Sequence, residues 1–206
     1  MGEALVILGK GLSRRCLPMH LADGVRAVWT LNDDYLAGVT TLHFDIHTPY
    51  REAFVAPCAG GAPVMVMDRS ACDAHDHAQL YPLDTVREHF GLTPGREYLA
   101  TTPAYMLALA LMTGKWDRIV LCGIDFPWQC RPEAIWERPC MEFYLGWGAA
   151  RGVNIVVPEE SSLLTTAEDG CRLPYGRHKL KRVSDPIVWA VTGVQHEPAT
   201  RKKAVG

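Results

Sequence analysis

Brief apolar runs alternate along the chain with longer stretches in which apolar residues recur every three or four positions. The runs at Ala4–Leu8, Arg26–Thr30, Thr41–Asp45, Val64–Met67, Arg118–Leu121 and Asn154–Val157 are rich in Val, Ile or Leu, as buried strands are. Between them, Pro82–Phe90 opens on a proline and an aspartate, while Ala104–Met112 and Met141–Arg151 carry the spacing of helices packed on a sheet. Gly91, Gly114 and Gly152 stand just past these helices, where a left-handed cap is wanted. The alternation predicts an α/β fold of Rossmann-like build, a mainly parallel sheet flanked by helices. The proline- and glycine-bearing stretch Thr48–Ala62 reads as a loop, as does Asp68–Gln79. Beyond Leu164 the rhythm fades, and Pro174, Gly176, Pro186 and Pro198 interrupt the remainder of the chain. The expected organisation is a nucleotide-binding domain over residues 1–170 and an irregular basic tail over 171–206.

Composition narrows this picture. A chain of 206 residues, 48% hydrophobic and 21% charged, suits one globular domain. No apolar run reaches the roughly 18 residues of a membrane span, and the first residues lack the basic region and cleavage site of a secretory signal, so a soluble, cytoplasmic protein is expected. The seven cysteines are odd in number, scattered and never paired as C-x-x-C, which predicts free thiols in a reducing compartment rather than a disulfide scaffold or a structural zinc site. A formal net charge of −2 gives no global attraction to nucleic acid. Only the tail is basic, at Arg177, His178, Lys179, Lys181, Arg182, Arg201, Lys202 and Lys203, which suits either a solvated end or a polyanion-binding arm.

In an open parallel sheet, ligands bind where the strand order reverses and the loops leaving the strands splay apart. Residues just after the strands are therefore the first candidates. Gly9-Lys10-Gly11-Leu12-Ser13 follows the first strand as a glycine turn feeding a helix, where free N–H groups would face a phosphate; a plain βα turn is the other reading. Asn32 follows the second strand, suited to a ribose or base edge or to capping a helix. His47 follows the third, as a base, an acid, a phosphate donor or a structural residue. Cys122-Gly123-Ile124-Asp125-Phe126 ends the fifth strand with a carboxylate that suits a ribose hydroxyl, a Mg²⁺ ion, a proton transfer or a cap. The alternating His and Asp of Asp68–His77 lack a recognised zinc spacing and read as a solvated loop. Trp128, Trp136, Phe143, Tyr144 and Trp147 gather near Arg131 and Arg138 in sequence, lining a pocket or filling the core.

The run Tyr98–Ala110 with Thr101-Thr102-Pro103, followed by Gly114 and Ile119–Phe126, resembles the core signature of the bacterial sialyltransferase-like group, which also takes in hydroxymethylpterin pyrophosphokinase-like and phage proteins. The phage branch is most similar, through Trp29–Asn32, Phe44–His47, Tyr81–Leu83, Glu137–Phe143 and Pro158–Leu164, pieces that span roughly residues 4 to 164. The resemblance implies a sialyltransferase-like Rossmann fold and a nucleotide-linked donor held by Gly9, Gly11, Ser13, Asn32, Thr101, Thr102 and Gly123, with Phe126 and Arg138 beside it. The group's catalytic histidine lies beyond the equivalent of Phe126, where this chain has none between Pro127 and Met141, so His47, Asp125 or Glu142 would take its place. The resemblance leaves three functions open: a nucleotide-sugar-dependent glycosyltransferase of phage type, an ATP-dependent diphosphotransferase using Mg²⁺, or a non-catalytic nucleotide-binding accessory protein. The expected ligand is a nucleotide or nucleotide-sugar. The acceptor is open and includes nucleic acid, and the group's habit of self-association makes a homo-oligomer a further expectation.

Overall fold

The computed structural model describes residues 3–126 and 134–164. Seven strands form one sheet: β1 (Glu3–Leu8), β2 (Ala27–Leu31), β3 (Leu42–Asp45), β4 (Val64–Val66), β5 (Ala78–Leu80), β6 (Trp116–Cys122) and β7 (Asn154–Val156). Every neighbouring pair is parallel, in the order β5-β4-β3-β2-β1-β6-β7. The chain builds outward from β1 to one edge and then returns to the other side of β1. The strand order therefore reverses between β1 and β6.

Central strands covered on both faces read as unbroken apolar runs. Leu5, Val6, Ile7 and Leu8 of β1 are all fully buried. Leu5 and Ile7 join Trp29, Leu31, Phe44, Ile119 and Leu121 under α4 (Leu83–Phe90), α5 (Thr102–Thr113) and α6 (Ala134–Ala150). Val6 and Leu8 face the other way, with Val28, Val120 and Cys122, against α1 (Leu17–Ala22). On that second face, farther out, Val64 and Val66 pack with Val55 of α2 (Glu52–Val55) and Ala71 of α3 (Arg69–Ala74). A helix apolar all round belongs inside. Met106 through Leu111 of α5 are buried accordingly, between the sheet and the helices α4 and α6.

The sheet and its parallel sense are as the sequence predicts; three segments are not. Asp68–Gln79 is no solvated loop. Asp68 caps α3, its Oδ1 accepting from the Ser70 amide at 3.0 Å and the Ser70 hydroxyl at 2.6 Å, and the strand β5 follows. His75 and His77 are pinned rather than free, the first 3.0 Å from Glu52 and the second 3.0 Å from the Val55 carbonyl. Thr48–Ala62 likewise holds α2 and a 3₁₀ turn, Ala56–Cys58. The third difference is α6, which starts at Ala134 rather than Met141 and runs through Pro139. A proline costs a helix one i→i−4 bond and favours its start, which is why the pattern pointed to a later beginning. No helix among the described residues is long and apolar enough to cross a membrane. The expected tail, 171–206, lies outside the described residues, as do Trp128 and Arg131.

Candidate functional site

A cleft of about 660 Å³ opens over the carboxyl ends of the strands, at the reversal between β1 and β6. Gly9, Lys10 and Gly11 line it from β1, Asn32 from β2, His47 from β3, Thr101, Thr102 and Pro103 from the start of α5, and Gly123, Asp125 and Phe126 from β6. Four turns far apart in sequence therefore share one concavity. Leu31, Ile46, Leu99 and Tyr105 supply apolar lining between them. This is the position at which doubly wound sheets hold ligands.

The glycine turn is locked against the end of β6. The Gly9 amide donates to the Cys122 carbonyl at 2.7 Å and the Gly11 amide to the Gly123 carbonyl at 2.8 Å. Asp125 is nearly buried, and its two carboxylate oxygens accept from the Ser13 amide at 3.0 Å and from the Ser13 hydroxyl, while that hydroxyl accepts from the Gly123 amide at 2.9 Å. The expected free N–H groups of Gly9, Gly11 and Ser13 are thus already committed. The glycines serve close approach instead: a Cβ on Gly9 would stand 2.5 Å from the Gly123 carbonyl oxygen, and one on Gly11 would overlap the Asp125 carboxylate. Groups on the lining that can donate to an anion include the Lys10 ammonium and the hydroxyls of Thr101 and Thr102 at the amino end of α5, where Pro103 has no N–H and the Ala104 amide is already bonded to the Thr101 carbonyl at 2.9 Å.

The opposite wall is polar. His43 is fully buried on the second face of the sheet, with Nδ1 2.7 Å from the Thr30 hydroxyl and Nε2 2.8 Å from the Asn32 carbonyl. Burial lowers its pKa and keeps it neutral, so Nε2–H donates to Asn32 and Nδ1 accepts from Thr30. This bond fixes Asn32 in a left-handed conformation, φ 56°, a region asparagine tolerates better than most residues. Its Oδ1 is buried with no hydrogen-bond partner. A buried acceptor without a donor costs about 1–3 kcal/mol, which a ligand N–H or O–H would recover. Phe126, φ 49°, is a second strained residue on the rim.

Asp45 is fully buried and accepts from the Arg51 amide at 2.6 Å, from the His47 amide at 3.3 Å and from Nδ1 of His47. The carboxylate thus holds the imidazole with its proton on Nδ1, leaving Nε2 as the basic nitrogen. The His47 side chain is about a third exposed, at 32%. A histidine oriented by a buried carboxylate and open to a cleft has the makings of a general base.

Three residues named from the sequence do not line the cleft. Ser13 is buried behind it, holding Asp125 and Gly123. Arg138 and Glu142 pair one turn apart on α6, Nε to Oε1 2.7 Å, and the residue of that helix that reaches the cleft is Glu137. Sequence reasoning passed over Glu137, although it opens the Glu137–Phe143 segment of the resemblance, and gave Asp45 no role beside His47. The aromatics of α6 do not gather round Arg138. Phe143 stacks on Tyr98 at 4.7 Å, Trp147 packs on Phe90 at 4.5 Å and under Arg151, and Tyr144 donates to the Glu97 carbonyl at 2.5 Å.

No family model matches this chain, and no curated protein does. Solved structures do. The sialyltransferase CstII from Campylobacter jejuni, in complex with a substrate analogue, cytidine-5'-monophosphate, is 15% identical, with 77% of this chain and 81% of that chain covered at a TM-score of 0.52. A variant of an alpha-2,3/8-sialyltransferase CstII is 16% identical, with 75% and 81% covered at a TM-score of 0.51. The chain therefore has a sialyltransferase-like α/β fold.

Proposed function

We propose that the protein is a transferase that takes a sugar from a nucleotide-linked donor, with His47 as general base. The convergence of Gly9–Gly11, Asn32, Thr101–Thr102 and Gly123 on one cleft beside the His47–Asp45 pair carries this reading. The nucleotide meets Asn32 Oδ1, the buried acceptor in want of a donor, and its phosphate lies at the amino end of α5. Nε2 of His47 removes the proton of an acceptor hydroxyl, the oxygen attacks the anomeric carbon, and the bond to the nucleotide phosphate breaks. Asp45 stabilises the imidazolium that results. The fold shared with a sialyltransferase solved with cytidine monophosphate supports a cytidine-linked donor.

Diphosphate transfer from ATP is the weaker reading. Its Mg²⁺ would call on Asp125, and both oxygens of that carboxylate already accept from Ser13. The phage-type resemblance adds nucleic acid as an acceptor class; the basic residues that would contact it fall outside the described residues.

A panel of nucleotides and nucleotide-sugars, with and without Mg²⁺, tests the proposal by thermal shift, since a ligand bound only by the folded form raises the melting temperature. A cytidine nucleotide is expected to stabilise the protein without metal. His47→Ala should lower turnover about 10²–10⁴-fold while leaving donor affinity within about twofold. Asn32→Ala should do the reverse, weakening donor binding by about 1–3 kcal/mol. Stabilisation only with ATP and Mg²⁺ would move the assignment to phosphoryl chemistry, and binding without turnover over an acceptor panel would leave a nucleotide-binding protein.

A further inference from the structure

On the face of the sheet away from α5, directly behind the glycine turn, three metal-ligating side chains meet. Cys16 ends the 3₁₀ turn Leu12–Cys16, His20 stands four residues on, in α1, and Cys122 is the last residue of β6. The spacing of four puts Cys16 and His20 on one side of the helical segment, and the Leu8–Cys122 pairing of β1 with β6 brings the second sulfur to them. One donor atom from each lies within 4.8 Å of the other two, the only such group of three among the described residues. Cys122 and His20 are buried, Cys16 is partly open to solvent, and Leu17, Val6 and Leu8 form an apolar shell around the sulfurs.

We propose that Cys16, His20 and Cys122 bind a zinc ion that ties the 3₁₀ turn to the end of β6. The two sulfurs lie 2.9 Å apart. That distance alone does not choose between zinc and a disulfide. Two thiolates on a tetrahedral zinc, at about 2.3 Å each, stand roughly 3.8 Å apart, and two sulfurs in a disulfide about 2.05 Å, so either needs a shift of under about 1 Å. The imidazole decides the matter, because a disulfide has no use for a third donor and zinc does. His20 is buried beside the two sulfurs and brings an imidazole nitrogen to them. The Arg118 guanidinium, 3.5 Å from His20 Nδ1, and the Asp23 carboxylate, 3.8 Å from it, offset each other's charge. Binding releases one proton from each thiol and leaves two thiolates whose charges balance that of Zn²⁺. The exposed side of Cys16 is the entry path, and water fills the fourth position.

The site stands apart from the sugar-transfer reading and is tested on the metal alone. The full chain, purified with a reductant and without chelator, is expected to hold one zinc ion by elemental analysis. After stripping with chelator, titration with Co²⁺ should give a thiolate-to-cobalt charge-transfer band that saturates at one equivalent. Cys16→Ser and His20→Gln should each weaken cobalt binding by about tenfold or more, and Cys72→Ser, on a remote helix, should leave it unchanged. Cys122→Ser is avoided because the residue is fully buried. The absence of the band in folded parent protein, a band indifferent to Cys16→Ser and His20→Gln, or a Cys16–Cys122 disulfide in the protein as purified would each overturn the proposal.

Discussion

The two walls of the cleft are built from different materials. At the exits of β1 and β6 backbone lies against backbone, with the Gly9 and Gly11 amides on the carbonyls of Cys122 and Gly123 and a single carboxylate, Asp125, closing the joint through Ser13. At the exits of β2 and β3 the wall is made of side chains, His43 under Asn32 and Asp45 under His47. The first wall fixes shape and tolerates no added atom. The second carries the two histidines, so the proposed proton transfer and the acid sensitivity are placed there.

The largest expected effect comes from placing a methyl group in the first wall. At Gly123, φ is 74° and a Cβ would collide with the Gly9 carbonyl, a position both strained and overfilled. Gly123→Ala should cost about 2–4 kcal/mol in denaturant unfolding and abolish ligand-induced stabilisation. A loss under about 1 kcal/mol would mean that the two turns are not interlocked. Asp125→Ala comes next: it strands the Ser13 amide and hydroxyl, and should cost about 1–3 kcal/mol of stability. If it instead abolishes turnover at full stability, Asp125 is a catalytic group rather than the fastener of the turn.

The second wall should answer to acid, gradually. Burial holds His43 below the usual histidine value of about 6.5. Between that lowered value and 6.5 the unfolded chain takes up a proton that the folded one refuses, so stability is complete above about pH 6.5 and declines as the pH falls through the window. Melting temperatures between about pH 7.5 and 5 should fall accordingly, and a flat profile over that range would contradict the buried, neutral His43.

The strands were legible because buried parallel strands advertise themselves: Leu5-Val6-Ile7-Leu8 admits no other easy reading. Short elements were not. The helix α3 is held by one aspartate cap over a stretch, Arg69–Ala74, with no apolar period, and β5 has only three residues, two of them exposed. The site was half visible. Glycines, asparagine and histidine at strand exits are local signals, and the cleft brings Gly9, Asn32, Thr101 and Gly123 together. The partnership of Ser13 with Asp125 spans 112 residues and leaves no trace in spacing. Glu142 and Glu137 sit on one helix, and only packing says which of them turns toward the cleft.

Past β7 the chain returns to the exit of β6, where the Ser161 hydroxyl donates to the Ile124 carbonyl at 2.9 Å and the Ser162 hydroxyl to that of Asp125. Those carbonyls belong to the loop after β6 that lines the cleft, made some 37 residues earlier. During synthesis, which proceeds from the amino end, β1 to β6 can pair before these serines leave the ribosome. The cleft is therefore finished late, and a nascent chain ending short of Ser161 would have its sheet but not the fastening of this loop.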